Sequence, residues 1–493
     1  MSLRRTAARG SATLAGAAAV SNIAGFVRNV ILAHILTKAD FGIAASLALV
    51  IALFELSAKI GVARFVVQDP EGNDPGFVAS AHFLQFATAA VGAILILVSA
   101  PFLAGLFNIH DQGWAIASLA LIALFRGLEH LDIYRFEREL RFGPSTGIDA
   151  ISQIAITVLA WPLATWLGDV RAVLALLIFK AALTCALTHR VAEYPYQWRL
   201  HRSHLRRMAR LGWPLLINGF LMFGVLSGDQ FLVATYYNVA DLGSYAAAAA
   251  LVSAPTFFFA KVFSSLSLPL VSKVQSDPVA FTRRYHQAMS LVAVFAVTCT
   301  VATIVGSEAL MKLVYGAKYA GSGPILAWIA AGNAFRIIRM APALAALSKG
   351  DSKNQMYSNV WRMTGLAAAL GVALAQQPVW MIAGCALIGE AFACAASFVL
   401  LTRRDRTPVS VSLIPTAIVA LCTAGALALS RLGAVPVNVV PALVLATLVS
   451  LAAGAVTGGV LAPMREECLR FLRKAAAMGA DFRGKQAGRR IVP

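Results

Sequence analysis

Basic side chains lie inside segments of this chain that are otherwise almost wholly apolar. A charged residue at the centre of a membrane-crossing helix costs about 2.5–3.5 kcal/mol on insertion scales, so such residues are expected to face protein or water. Guanidinium and ammonium groups that line a shared, wet cavity would bind an anionic group such as a phosphate. The residues predicted to do so are Arg28, Lys59, Arg126, Lys261, Arg336 and Arg339. Lys180 is expected to have a structural or lipid-facing role.

Acidic side chains occur in the same segments. The candidates for carrying a coupling ion such as a proton are Glu55, Glu129, Asp229 and Glu390. Such residues could instead hold helices together as buried ion pairs: Glu55 lies one helical turn before Lys59. Arg126 lies three residues before Glu129, so both would share a helix face. Because the basic residues outnumber the acids, and an unpaired buried cation is strongly destabilising, the set as a whole favours anion binding.

The charged positions follow an internal repeat. The stretch RNVILAHILTKADFGIAAS, which begins at Arg28, is echoed by DQFLVATYYNVADLGSYAA, which begins at Asp229, and both keep an Ala-Asp-x-Gly hinge. Arg28 and Asp229 correspond at a separation of 201 residues and could pair. Lys59 and Lys261 correspond at 202 residues. Duplicated halves that face each other across a midplane cavity are the usual construction of secondary transporters.

The composition excludes an ordinary soluble protein, since 59% of the 493 residues are hydrophobic and only 13% are charged. Apolar runs of about 20 residues, the length that crosses a bilayer, recur from end to end. About fourteen spans are predicted, at 14–36, 41–66, 79–106, 113–131, 146–166, 170–189, 211–235, 242–268, 287–310, 322–347, 357–375, 379–401, 411–431 and 437–461. We therefore expect an all-α integral membrane protein with two pseudo-symmetric six-helix lobes and a C-terminal helical hairpin.

The formal net charge of +19 is distributed unevenly among the connecting segments. Most Lys and Arg residues outside the spans fall on the side of both termini, which the positive-inside rule assigns to the cytoplasm. The excess is mainly a topology signal and a surface for anionic lipid headgroups, and it argues against a nucleic-acid-binding protein. The six cysteines lack ligand spacing, so no metal site, disulfide framework or cofactor is expected.

The predicted organisation follows from the spans and from two basic segments. Residues 1–190 and 211–402 are predicted to form the lobes, 191–210 a basic cytoplasmic connector, 403–461 the last two membrane helices and 462–493 a basic cytoplasmic tail. The connector is expected to be an amphipathic segment on the membrane surface, with Tyr196 and Trp198 at headgroup depth. Docking of a partner enzyme is the alternative. Asp132 and Asp149 are expected to be solvated or to cap helices.

Several segments resemble those of one transporter family. The first span contains GFVRNVILAHIL and is followed by the turn TKADFG, and the second span ends in KIGVARFVVQ. The segment after the fourth span is ERELRFGPS. The second half of the chain opens with LGWPLLINGFLMFGVLSGDQFLVATYYNVADLGSYAAA. With about fourteen spans, this pattern is similar to the polysaccharide transporter (Wzx-type flippase) family of the multidrug/oligosaccharidyl-lipid/polysaccharide exporter superfamily. The resemblance covers essentially the whole chain.

The resemblance implies two lobes that open alternately to either side of a bacterial inner (plasma) membrane. It implies movement of an undecaprenyl-diphosphate-linked oligosaccharide from the cytoplasmic to the periplasmic leaflet, for exopolysaccharide, capsule or O-antigen assembly, with energy from an ion gradient. The basic residues would then neutralise the diphosphate. The implied partners are the lipid-linked glycan, membrane lipids, and a polysaccharide polymerase with its export machinery.

Three alternatives are open. Lipid II flippases share the GFVR opening, but an Asp typically follows their Arg, where this chain has Asn29. Multidrug antiporters normally have twelve spans and fewer intramembrane cations. A membrane glycan polymerase or ligase would be an enzyme with a large periplasmic loop, whereas the predicted outer loops are short and no GxSxG or Gly-rich phosphate motif is present. We therefore expect a transporter and no enzymatic activity.

Overall fold

The computed structural model describes residues 3–405, 408–433, 435–436 and 438–461, apart from the side chains of 3–15, 18, 56–61, 63–64, 211, 214–215 and 405. These described residues form α-helices with two short 3-10 segments and contain no β-strand. The helices are α1 Leu3–Ile35, α2 Lys38–Gln68, α3 Pro75–Leu106, α4 Gly113–Gly127, α5 Asp132–Arg138, α6 Gly143–Leu167, α7 Val170–Val191, α8 Arg202–Tyr236, α9 Val239–Ser272, α10 Pro278–Val305, α11 Ser307–Tyr315, α12 Gly323–Ser348, α13 Lys353–Leu374, α14 Val379–Asp405, α15 Val409–Arg431 and α16 Val439–Val460.

Each predicted apolar span coincides with one long helix. Helices α1–α4, α6–α10 and α12–α16 occupy the spans, and nine helices within the described residues are long and apolar enough to cross a membrane. The prediction of an all-α membrane protein is confirmed. The short helices α5 and α11 are not among the predicted elements; α11 arises because α10 ends at Val305 and Gly306 separates the two.

Tertiary contacts divide the described residues into two compact units. The first contains 3–265, 310–329 and 362–389, and the second contains 266–309, 330–361 and 390–461. In the first unit α1 packs on α6, α2 on α8 and α3 on α4; in the second, α10 packs on α15 and α16. The boundaries proposed for lobes, connector and terminal helices stay a prediction, and the tail at 462–493 lies outside the described residues.

Small residues let the last helix of the second unit approach α10 closely. Ser450 and Gly454 are buried on α16, and a Cβ on Gly454 would overlap the Thr298 hydroxyl of α10. The Tyr285 hydroxyl of α10 lies 2.7 Å from the Ser412 hydroxyl of α15. Close packing through small residues and inter-helix hydrogen bonds is the usual way in which membrane helices associate.

The two Ala-Asp-x-Gly hinges meet in the first unit. A Cβ on Gly42, in α2, would overlap the carbonyl oxygen of Val239 at the start of α9. A Cβ on Gly243, in α9, would in turn overlap the carbonyl oxygen of Lys38 at the start of α2. Glycine has no Cβ, so both positions allow backbone to meet backbone. We call this pair of approaches the hinge contact.

A lysine secures the helix that precedes the hinge contact. Lys318 donates to the carbonyl oxygen of His34 at 3.0 Å and to that of Leu36. These carbonyls close α1, where the last C=O groups have no partner within the helix and where the helix dipole attracts a cation. Next to Lys318, the buried Tyr319 ring contacts Phe41 of α2 edge-on. The linker between α11 and α12 therefore packs against the end of α1 and the start of α2, next to the hinge contact.

Helix α5 binds the other end of α2. Arg138 donates to the carbonyl oxygens of Val66 and Val67, each at 3.3 Å, and so satisfies groups that have no partner within the helix. Asp132, at the start of α5, is only 1% exposed and accepts a hydrogen bond of 2.6 Å from Arg135 Nε. The expectation that Asp132 is solvated is therefore wrong, because a charge partner next to it makes its burial tolerable.

The first half of the connector is extended and packs on the first unit, rather than forming an amphipathic segment along a surface. Residues 192–201 are not helical. The backbone amides of Glu193 and Tyr194 donate to Asp132 at 2.6 and 3.1 Å, and Trp198 stacks on Phe86 of α3. The half-buried Tyr196 ring lies 4.4–5.7 Å from three histidine rings, those of His82, His130 and His189. Headgroup depth for Tyr196 and Trp198 stays a prediction.

Candidate functional site

A polar cavity of about 560 Å³ lies within the first unit. Its walls come from α1, α2, α4, α6, α7 and α9. The charged residues that line it are Arg28, Glu55, Arg126, Glu129, Asp149 and Lys180. The structure therefore brings together four of the residues predicted to bind substrate or a coupling ion, three from α1, α2 and α4 and Glu129 from the turn after α4.

One face of α1 forms a polar wall of this cavity. Arg28 Nη2 donates to Asn29 Oδ1 at 3.0 Å, while Arg28 Nε is buried without a hydrogen-bond partner. One turn earlier, Gly25 faces the Gln153 side chain of α6. A further turn earlier, the Ser21 hydroxyl donates to Asp149 at 3.0 Å. Positions three or four residues apart share a helix face, which explains why these groups line one wall.

The central ion pair joins α4 to α2. Arg126 Nη1 pairs with Glu55 Oε1, and the two side chains are 29% and 28% exposed. Arg126 thus pairs with a residue of another helix rather than with the nearby Glu129. The other expected partner of Glu55 is Lys59, whose side chain lies outside the described residues. The end of α4 is fixed by Gln85 of α3, whose side-chain amide donates to the Arg126 carbonyl at 2.8 Å. Contacts from α2, through Glu55, and from α3, through Gln85, therefore position the Arg126 guanidinium.

Lys180 is a cavity residue that the repeat-based reasoning missed. Its ammonium donates to Gln153 Oε1 at 2.8 Å, and both residues line the polar cavity. A lipid-facing role is therefore wrong for Lys180. The signal that would have found it is the rule that an intramembrane cation marks a functional position by default. Lys180 has no counterpart in the second repeat, so the repeat does not predict it.

The cavity is balanced in formal charge. Three basic residues and three acidic residues line it, so it is not the uniformly positive chamber that the sequence suggests. The basic and acidic side chains nevertheless differ in the groups that they contact. Glu55 is held by Arg126, and Asp149 by the Ser21 hydroxyl, whereas the contacts given above for Arg28 and Lys180 are to neutral amide oxygens. An anion can therefore approach Arg28 without displacing a carboxylate from that contact.

Two predicted residues of the first unit lie elsewhere. Asp229 accepts hydrogen bonds from the Tyr245 hydroxyl at 2.8 Å and from the backbone N–H of Gln230 at 2.9 Å. It makes no pair with Arg28. Lys261 is exposed on α9, one helical turn beyond Phe257, which lines the cavity. Lys261 therefore does not contribute to the described cavity wall but lies next to it along the same helix.

The remaining predicted residues form a compact cluster in the second unit. Glu390 is only 1% exposed; Arg336 Nε lies 2.8 Å from its Oε1, and Arg339 Nη2 lies 3.6 Å from its Oε2. Two helices, α12 and α14, are joined in this way. Because a buried carboxylate held by guanidinium groups is costly to disrupt, this cluster has the properties of a structural ion pair.

The sequence profile of a family described as polysaccharide biosynthesis protein matches residues 31–324, more than half of the chain. Lipopolysaccharide biosynthesis protein WzxC of Escherichia coli (strain K12) is 22% identical over 337 residues, or 66% of each chain. Teichuronic acid biosynthesis protein TuaB of Bacillus subtilis (strain 168) is 20% identical over 300 residues, 59% of this chain and 61% of TuaB. The match therefore spans about two thirds or less of either relative.

Solved structures have a similar fold. The lipid II flippase MurJ in an inward closed conformation superposes with a TM-score of 0.72 at 15% identity, covering 90% of this chain and 97% of MurJ. A multidrug resistance MATE family transporter in an inward-facing conformation gives 0.61 at 12% identity, covering 78% and 94%. Family profile and fold agree with the resemblance read from the sequence. The chain belongs to the polysaccharide biosynthesis protein family, a polysaccharide transporter family of the multidrug/oligosaccharidyl-lipid/polysaccharide exporter superfamily.

Proposed function

We propose that this protein is a flippase that moves an undecaprenyl-diphosphate-linked oligosaccharide from the cytoplasmic to the periplasmic leaflet of a bacterial inner membrane. The observation that carries the proposal is the polar cavity, in which Arg28, Arg126 and Lys180 occur together with three carboxylates and with neutral hydrogen-bonding groups. Phosphate oxygens suit guanidinium and ammonium donors, and sugar hydroxyls suit the amide and hydroxyl groups of the α1 wall. The names of WzxC and TuaB, both polysaccharide biosynthesis proteins, agree with such a cargo.

Arg126 is the proposed first contact of the diphosphate. With both termini in the cytoplasm, α4 runs inward, and Arg126 is the residue before its last, Gly127. That depth matches the phosphate layer of the inner leaflet. Helix α1 runs in the opposite direction, toward the periplasm, and Arg28 lies seven residues, or about 10 Å, before its end. Arg28 would therefore contact the headgroup only later in the transport cycle.

Glu55 is the proposed coupling residue. A phosphate that approaches Arg126 competes with the Glu55 carboxylate for the same guanidinium. Protonation of Glu55 removes that competition and strengthens anion binding, and loss of the proton restores the ion pair and favours release. Exchange of this kind links proton binding to cargo binding through one side chain, so that the state of Glu55 sets the balance between loading and release. Glu129, in the same cavity, is the second candidate for this role.

Alternating access is proposed to require separation of the hinge contact. The approach of Gly42 and Gly243 leaves no space for a larger side chain, so Gly243→Ala should prevent closure. In a cysteine-free background, an Ala250→Cys reporter in the cavity should then react several-fold faster with a membrane-impermeant maleimide from the periplasm. Gly371→Ala, on α13 where a Cβ meets no atom within 4 Å, is the control. Equal labelling of the two variants would argue against a role of the hinge contact in closure.

The decisive experiment for the proposed function is depletion of the protein, followed by identification of the lipid-linked glycan that accumulates and of its leaflet. Accumulation of an undecaprenyl-diphosphate oligosaccharide in the cytoplasmic leaflet is the expected result. Accumulation of lipid II would instead favour the lipid II flippase alternative. Altered drug resistance without glycan accumulation would favour a multidrug antiporter. Accumulation of flipped but unpolymerised glycan in the periplasmic leaflet would favour a polymerase or ligase.

A further inference from the structure

A second, apolar pocket of about 100 Å³ lies behind the Arg126–Glu55 pair. It is open on one side and lies between α2, α3 and α4, and most of its wall is apolar. The residues that define its interior include Phe54, Ala89, Gly92, Ile96 and Leu119. We call it the side pocket. The functions assigned above make no use of it.

The side pocket and the polar cavity have a common wall. Ile51, Glu55, Ile122, Arg126 and Glu129 line both. An anion bound by Arg126 on the cavity side would therefore lie directly beside an apolar space. The arrangement is complementary to a ligand with a charged group joined to a hydrocarbon chain.

We infer that the side pocket holds the first isoprene unit of the lipid whose diphosphate is bound at Arg126. A dry cavity of about 150 Å³ in a protein core holds a benzene molecule, so a pocket of about 100 Å³ suits a five-carbon unit. The rest of the chain continues into the bilayer. Gly92 is suited to such contact, because a Cβ placed on it meets no atom within 4 Å. This inference rests on the proposed function and adds recognition of the lipid next to the headgroup.

The pocket also gives a physical reason for selecting a polyprenyl carrier. The unit next to the diphosphate is branched, and it would fill a pocket that a straight acyl chain fills poorly. Close-packed contact is lost outright where a ligand leaves a gap. The diphosphate alone would bind to Arg126 without this contribution, so the two parts of the ligand can be measured separately.

The test compares two probes on purified full-length protein: undecaprenyl diphosphate and methyl diphosphate. Gly92→Leu fills the side pocket without changing a charged group, and Gly371→Leu, at an open position on α13, is the matched control. We expect Gly92→Leu to weaken binding of undecaprenyl diphosphate about tenfold and to leave methyl diphosphate unchanged. Gly371→Leu should change neither. Equal affinities of Gly92→Leu and wild type for undecaprenyl diphosphate would overturn the inference.

A labelling experiment keeps the inference testable if Gly92→Leu does not fold. A diphosphate lipid with a photoreactive first isoprene unit should label residues 85–96 of α3 in the wild-type protein. Labelling confined to helices other than α2, α3 and α4 would overturn the side-pocket assignment while leaving the proposed function intact. If the wild-type protein binds neither diphosphate probe, the proposed function itself fails, and the inference with it.

Discussion

Replacing Glu55 with glutamine isolates the contribution of the central ion pair. Glutamine keeps the size of the side chain and removes the negative charge that holds Arg126. The guanidinium is then free to bind a phosphate without displacing a carboxylate. We therefore expect Glu55→Gln to bind a diphosphate more tightly than the wild type and to transport more slowly, because release is no longer assisted by re-formation of the pair.

The size of the effect follows from the exposure of the pair. Two unit charges about 4 Å apart interact by about 4 kcal/mol at an effective dielectric constant of about 20. Both side chains are nearly one third exposed, at 29% and 28%, so solvent screening reduces the interaction to about 1–2 kcal/mol. Since about 1.4 kcal/mol corresponds to a factor of ten, binding should tighten about tenfold.

Calorimetric titration of detergent-solubilised protein with methyl diphosphate measures this change directly. Asp149→Asn is the matched control, because Asp149 lines the same cavity but contacts a serine hydroxyl instead of a guanidinium. It removes the same charge without releasing a cation, so its effect on affinity should be smaller. If Glu55→Gln and Asp149→Asn tighten binding equally, general electrostatics explains the result and competition for Arg126 does not.

Two further predictions concern stability. Glu390→Gln removes the carboxylate that holds the buried Arg339 and the 33% exposed Arg336, so the protein should lose about 3 kcal/mol, the lower end for a broken buried pair, and its thermal midpoint in detergent should fall; an unchanged midpoint would show that the cluster is dispensable. Burial alone would raise the pKa of Asp132, but hydrogen bonds from Arg135 and two backbone amides outweigh it and hold the pKa below its usual value. The hydrogen bond from Arg135 also lowers the pKa of the Glu193 carboxyl. Stability from such groups is complete above the unfolded pKa and is lost as pH falls through the folded one. The protection of the amides at residues 192–201, measured relative to the intrinsic exchange rate at each pH, should therefore fall below about pH 4 and stay constant between pH 6 and 8.

The helices could be predicted because a span of about 20 apolar residues leaves the backbone no alternative to helix inside a bilayer. The same rule does not predict which charges meet. Arg126 and Glu129 are three residues apart, which favours a pair on one helix, yet Arg126 reaches Glu55 on α2. That choice depends on how α2 and α4 approach each other, and no local spacing records it.

The end of the first unit where α5 contacts α2 illustrates a second limit. The segment ERELRFGPS contributed to the family resemblance, but the role of its basic residues is tertiary: Arg138 satisfies carbonyl groups at the end of α2, a helix that ends about 70 residues earlier in the chain. Likewise, the basic connector reads as a surface segment by composition, while Tyr196 is packed among histidine rings. Charge and hydropathy describe which side of the membrane a residue occupies, and contacts decide what it does there.

The balanced charge of the cavity is better suited to transport than the positive ring that the sequence suggests. A transporter must bind its cargo firmly enough to load it and weakly enough to release it, as ion pathways do. Several unpaired cations around a diphosphate would favour loading and oppose release. Glu55 gives Arg126 an alternative partner after the cargo leaves, and Arg28, which contacts an amide oxygen, provides a further site along the path. On this reasoning the acidic residues are as necessary to the proposed function as the basic ones, and a variant that removes Glu55 should trap its cargo.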